Sequence, residues 1–211
     1  MKDLQGLPLS GGLSTGGEQV ELLRFDNLVV VPWKNGGGLT RELAVHLDGE
    51  IHPEFLWRIS MATVAGPGPF SRFDGIDRTI AVLQGEGIVL ASRDNEIALR
   101  RNSDPYSFAG ETPIDALVVS GETTDLNVMT RRGYFTHVMK RVVIREPLAI
   151  EVQCDEMMIV FNGEADVEAS ESRLSARPLD TLTGLKRGTR LRLLPSAGEE
   201  IFLIELSRAS A

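Results

Sequence analysis

Apolar residues along this chain come in short runs at a two-residue period, punctuated by glycine and proline. The stretches 28–32 (LVVVP), 55–64 (FLWRISMATV), 78–85 (RTIAVLQG) and 87–92 (GIVLAS) read as strands. So do 115–121 (DALVVSG), 156–163 (EMMIVFNG), 189–195 (TRLRLLP) and 200–206 (EIFLIEL). They are rich in Val, Ile, Leu and Phe and bounded by Gly, Pro, Asn or Asp, as strands are. No stretch carries the 3.6-residue pattern of an amphipathic helix of three turns. Many short strands with little helix predict an all-β sandwich, jelly roll or barrel.

A weak internal repeat adds a second level. AVLQGEGIVLAS (81–92) and MIVFNGEADVEAS (158–170) share an outline of apolar strand, tight glycine turn and second strand, read as a hairpin. Glu86 and Glu164 follow the turn glycine in each. DALVVSG and EIFLIEL then stand as the matching later strands. Two copies of one unit predict two lobes of one type: 20–135 and 136–211, after a loose Gly- and Ser-containing tail at 1–19.

Composition narrows the function. The chain has 211 residues and a formal net charge of −8. Residues 1–120 hold 10 Lys and Arg against 16 Asp and Glu, and residues 121–211 hold 12 against 14. Neither part has a basic footprint, so direct nucleic-acid binding is not expected. No run nears the ~18 apolar residues of a spanning helix, so no membrane is expected. The opening residues lack the apolar core of a signal peptide. Cys154 is the single cysteine, which excludes an intrachain disulfide and fits a reducing compartment. A cytoplasmic location is expected.

The chemistry concentrates in 32–78 and 125–135. Strand alternation puts Arg58 and Ser60 on one face, against Trp57, Ile59 and Met61 on the other. Asn127, Met129 and Arg131 share a face, and Arg78 shares one with Ile80 and Val82. An arginine in phase with apolar strand residues needs an acidic partner or an anionic ligand, and guanidinium is suited to carboxylates. Arg41, Arg72 and Arg132 are expected to pair at the surface; Arg58, Arg78 and Arg131 stand open between pocket and ion pair. Trp57 is expected in the core, and Trp33, beside a polar loop, nearer a ligand. Gly36-Gly37-Gly38 lacks the Gly-Lys-Ser/Thr of a phosphate loop and reads as a tight turn. His46, His52 and His137 form neither an HxH nor an HExxH pair, so no metal site is expected. Ser60 and Ser71 lack a recognisable triad.

Four motifs carry a family resemblance: PWKNGGGLTREL (32–43), WRISMATV (57–64), GPFSRFDGIDRTIAVLQGEG (68–87) and DLNVMTRRG (125–133). In this order they resemble the HutD/Ves family, strongly over about residues 20–135. The resemblance implies a bicupin, two fused jelly-roll-type cupin β-barrels, with the pocket in the first lobe and a structural second lobe. Members called HutD are associated with bacterial histidine utilisation and thought to govern its expression by binding urocanate or formylglutamate; those called Ves are described as stress-induced. Expected ligand-binding residues on these motifs are Trp33, Asn35, Arg58, Ser60 and Phe70, with Ser71, Arg78, Asn127, Met129 and Arg131. Metal-binding cupins place a Glu seven residues before a motif glycine. With Gly85 in that role the position holds Arg78, and the histidine positions fall among Ser71, Arg72, Phe73 and Asp74. With Gly110 as anchor, the second motif's histidine position is Pro113. An arginine there repels a cation and attracts an anion. Residues 149–156, before Gly163, also lack histidine.

Together these readings predict a non-catalytic binder of a small anionic metabolite, without metal or cofactor. The alternative is a metal-independent isomerase or hydrolase acting on a carboxylated metabolite, with Asp74, Asp77, Glu42 and Lys34 as its acid–base candidates. A homodimer through edge strands and contact with a separate transcriptional regulator are left open.

Overall fold

The computed structural model describes residues 20–34, 36–47, 55–169 and 172–210. The expected tail 1–19, Asn35 and His52 lie outside them. The fold is all-β, the one helical element among the described residues being a 3-10 turn at Phe25–Asn27. Among the described residues no helix is long and apolar enough to cross a membrane.

Three strands open the chain: β1 (Glu21–Leu23), β2 (Val30–Pro32) and β3 (Gly38–Leu47). Then come β4 (Phe55–Val64), β5 (Gly68–Pro69), β6 (Ile76–Gln84), β7 (Ile88–Ala91), β8 (Glu96–Leu99), β9 (Tyr106–Ala109), β10 (Asp115–Val118) and β11 (Thr123–Arg131). A second set follows as β12 (Phe135–Ile144), β13 (Leu148–Glu151), β14 (Glu156–Phe161), β15 (Ala165–Ala169), β16 (Ser172–Ala176), β17 (Thr181–Lys186), β18 (Arg190–Pro195) and β19 (Glu199–Arg208).

The two sets are wired identically. In the first, β4-β11-β6-β9 form one sheet and β5-β10-β7-β8 another; in the second, β12-β19-β14-β17 and β13-β18-β15-β16 repeat that order strand for strand. β2 and β3 extend the first set's larger sheet beyond β4, whereas β1 joins the second set's beside β17, pairing Leu22 with Leu182. The sheets are open, and no closed barrel is found among the described residues. Three apolar clusters then fix the layers. Ile80 and Val82 meet Ile88, Leu90 and Ala116 between the first two sheets. Ile159, Phe161 and Ile201 meet Val167 and Leu193 between the second two. Trp57, Ile59 and Val128 meet Met158, Phe202 and Ile204 between the larger sheets. The larger sheets therefore form two inner layers buried on both faces.

Three expectations change. Residues 21–23 sit with the second set rather than the first, because β1 finds its partner across a long sequence separation. The glycine turns at 85–87 and 162–164 do not close hairpins: β6 and β14 lie in the inner sheets, β7 and β15 in the outer ones. Gly85 takes φ +88°, and a Cβ there would stand 2.4 Å from the Glu122 carbonyl, so the chain turns sharply against β11 as it changes layer. Finally, EIFLIEL corresponds to β11, and DALV to β18 rather than to β19.

Candidate functional site

Three adjacent strands of the first inner sheet turn polar side chains away from the central core. Ladder register sets them in rows: Asp125 lies opposite Ala62 and Val82, Asn127 opposite Ser60 and Ile80, and Met129 opposite Arg58 and Arg78. Their odd and even neighbours, Trp57, Ile59, Leu126 and Val128, fill the core behind. The face opens on a cavity of about 530 Å³. Phe70, Ser71 and Phe73, between β5 and β6, close one wall, and Trp33 and Lys34, from the β2–β3 turn, close another. Trp33 is held by its Nε1, which donates to Thr40 Oγ1 at 2.8 Å. Gly38 makes room for it: a Cβ there would meet the Thr63 carbonyl at 2.5 Å and the indole at 3.1 Å.

Arg78 is 4% exposed. Its Nη1 donates to the Ser71 carbonyl at 3.1 Å and its Nη2 to Asn127 Oδ1 at 3.3 Å, while Nε is buried without a hydrogen-bond partner. The guanidinium carbon lies 5.2, 5.5 and 5.0 Å from the ring centres of Phe70, Phe73 and Phe108. Such contacts hold a cation in place without neutralising it. Burial lowers its pKa to about 10, opposed by nearby Asp125 and assisted by Arg58. Arg58, at the cavity, already spends its Nε on Glu42 at 2.8 Å.

Asp125 is 1% exposed and lines the cavity, yet neither carboxylate oxygen has a hydrogen-bond partner. Burial raises its pKa to about 7, with Arg78 and, less strongly, the Asn127 side chain pulling the other way. On the opposite face of these strands a second cavity, about 430 Å³, holds a chain of hydroxyls around His137. Ser107 Oγ lies 2.7 Å from Thr79 Oγ1; that hydroxyl is 2.7 Å from His137 Nε2, and Thr130 Oγ1 is 2.7 Å from Nδ1. Burial lowers the imidazole pKa to about 4.

Of the residues expected at a ligand, Trp33, Arg58, Ser60, Phe70, Ser71, Arg78, Asn127 and Met129 line the first cavity. Asn35 lies outside the described residues. Arg131 does not line it: at the end of β11, past the rows that face the cavity, its Nε donates to the Phe55 carbonyl at 3.4 Å. Arg72 pairs with Asp74 at 3.5 Å and Arg132 with Asp77 at 2.7 Å, both at the surface, and Arg41 lies over Phe25. His46 stacks on Trp57. Sequence reasoning passed over Asp125 as a site residue and missed the aromatic pair Phe73 and Phe108. The signal for Asp125 was present, since it shares the parity of Asn127 and Met129. No group of three or more His, Cys, Asp or Glu side chains among the described residues could hold a metal ion.

The HutD family model matches residues 26–202 of this chain. Protein Ves of Citrobacter koseri is 37% identical over 101 residues, 47% of this chain and 52% of that protein. An uncharacterised 21.2 kDa protein in the hutC 3' region of Pseudomonas putida is 36% identical over 111 residues, 53% of this chain and 58% of that protein. The chain thus spans about half the length of these relatives. Among solved structures, HutD from Pseudomonas fluorescens SBW25 superposes with a TM-score of 0.75 at 24% identity, covering 91% of this chain and all of that one. A cupin 2 conserved barrel domain protein from Leptotrichia buccalis shares the fold, with a TM-score of 0.59 at 9% identity over 89% of this chain and 96% of that one.

Proposed function

The chain belongs to the HutD family, and from that premise we propose that it is a non-catalytic protein that binds a small carboxylate metabolite and regulates histidine utilisation. The histidine-utilisation names among its relatives support the pathway. One observation carries the ligand class: a buried guanidinium, Arg78, set in an aromatic cage on a cavity with donor hydrogens to spare. A carboxylate accepts such donors in pairs. The cavity of about 530 Å³ suits a molecule the size of urocanate or N-formylglutamate. The strand-for-strand repeat supports reading each set as one cupin unit and the whole as a bicupin, with the ligand in the first unit and a structural second unit.

Urocanate or N-formylglutamate at 100 times its Kd should add about 2.7 kcal/mol to the unfolding free energy, read as a raised Tm. Arg78→Met should remove that response. Arg78→Lys should keep only part of it, because an ammonium lacks the planar fork. A Tm unmoved across a panel of small carboxylates overturns the proposal.

Asp125 favours a second reading, a metal-independent isomerase or hydrolase. A cavity carboxyl with a pKa of about 7 is poised for general acid–base work near neutrality. Turnover of either compound by chelator-treated protein, lost in Asp125→Asn, would replace binding with catalysis.

A further inference from the structure

Asp125 is the group that carboxylate binding leaves unexplained. Its carboxyl is buried on the cavity wall, and neither oxygen meets a donor in full hydrogen-bond geometry, the Asn127 side chain beside it lying close enough only to help hold its pKa down. Its ladder neighbours on either side, Ala62 and Val82, have no side-chain donor to offer. The hydroxyls that precede it on β11 are engaged elsewhere: Thr124 shares a hydrogen bond of 3.2 Å with Thr63, and Thr123 spans to Gly87. Arg78 acts on Asp125 through charge alone, its donors going to Ser71 and Asn127. Buried polar atoms are rarely left this way, and a carboxylate is among the costliest. A ligand bringing only a second carboxylate would worsen the position by adding a like charge.

We propose that the ligand of this cavity carries an N–H donor as well as its carboxylate, the carboxylate on Arg78 and the N–H on Asp125. The ligand class is then a small carboxylic acid bearing an amide, imidazole or ammonium nitrogen. This rests on the carboxylate reading above and narrows it. A site built to accept a hydrogen bond discriminates sharply against analogues that cannot donate one, because its own acceptor stays buried and unpaired.

Titration calorimetry with three probes tests this: N-acetylglycine, its ester isostere acetoxyacetate (which puts oxygen where the N–H stands), and acetate. The wild-type protein should bind N-acetylglycine at least about tenfold more tightly than acetoxyacetate. Asp125→Asn keeps the side-chain volume and can donate to the ester as well as accept from the amide. Its preference should fall below about threefold. Equal affinities in the wild type, or a preference that survives in Asp125→Asn, overturn the proposal. If acetate alone binds, the N–H assignment falls and the carboxylate reading stands. If none of the three binds, both fall.

Discussion

The two strand sets run in the same order, yet one encloses a cavity and the other is filled. In the first, the rows across the inner sheet are Ala62–Asp125–Val82, Ser60–Asn127–Ile80 and Arg58–Met129–Arg78. In the second, the rows next to the turn are Val142–Ile201–Phe161 and Lys140–Leu203–Ile159. Where one has Asp and Asn on its middle strand, the other has Ile and Leu. Phe161, Ile159 and Ile201 are fully buried against the outer sheet. The wiring itself therefore has no need of a polar interior. Burying Arg78 and Asp125 costs stability that the filled set does not give up, and such departures from consistent packing gather at functional sites.

The largest test of this contrast is pH. Asp125 has a folded pKa of about 7 against an ordinary 3.8, so the native state holds its proton longer than the unfolded chain. Its contribution is fully present below pH 3.8 and is lost as pH rises towards 7, an effect on the order of 4 kcal/mol. His137 runs the other way: with a folded pKa of about 4 against 6.5, its contribution is present above pH 6.5 and is lost as pH falls through 4. Between pH 4 and 6.5 the two oppose each other. Urea unfolding across that window should therefore give Asp125→Asn a stability that climbs with pH more steeply than the wild type's. Matching slopes would mean that Asp125 titrates as it does in the unfolded chain.

Next in size is an attempt to make the first set resemble the second. Replacing buried ionic groups by apolar side chains of similar volume is often neutral or stabilising by about 1–4 kcal/mol. The double variant Arg78→Met, Asp125→Leu should thus equal or exceed the wild type in urea at pH 7, while losing any carboxylate-induced rise in Tm. A destabilised double variant would show that the two charged groups serve the fold rather than the cavity.

Much of this contrast was legible in the chain, and the failures share one physical cause. Alternation placed Arg58, Ser60, Arg78, Asn127 and Met129 on their faces because the side-chain period of a strand is local. A strand–Gly–strand pattern, however, looks the same whether the two strands pair or pass to different sheets, so the turns at Gly85 and Gly163 read as hairpins. β1 was misassigned because pairing Leu22 with Leu182 is a non-local choice. β3 and β12 went unread: GLTRELAVHL and FTHVMKRVVI alternate poorly, with half-buried residues at several positions. Asp125 was passed over because sequence shows that a carboxylate is in phase with Asn127 and Met129, not whether donors reach it.

Arg131 gives the smallest expected effect on ligand affinity and the closest check on where the cavity ends. Parity put it with Asn127 and Met129, but parity continues along a strand for as long as the strand does, whereas the cavity stops at the Arg58–Met129–Arg78 row. Beyond that row Arg131 lies opposite Ile76, and its Nε reaches the Phe55 carbonyl at the start of β4. That bond ties one strand end to another. Arg131→Ala should lower stability by at least the ~0.5–1.5 kcal/mol net worth of that hydrogen bond, and leave carboxylate affinity within about twofold of the wild type. A loss of affinity comparable to that of Arg78→Met would extend the site past the last polar row and bring the end of β11 into contact with ligand.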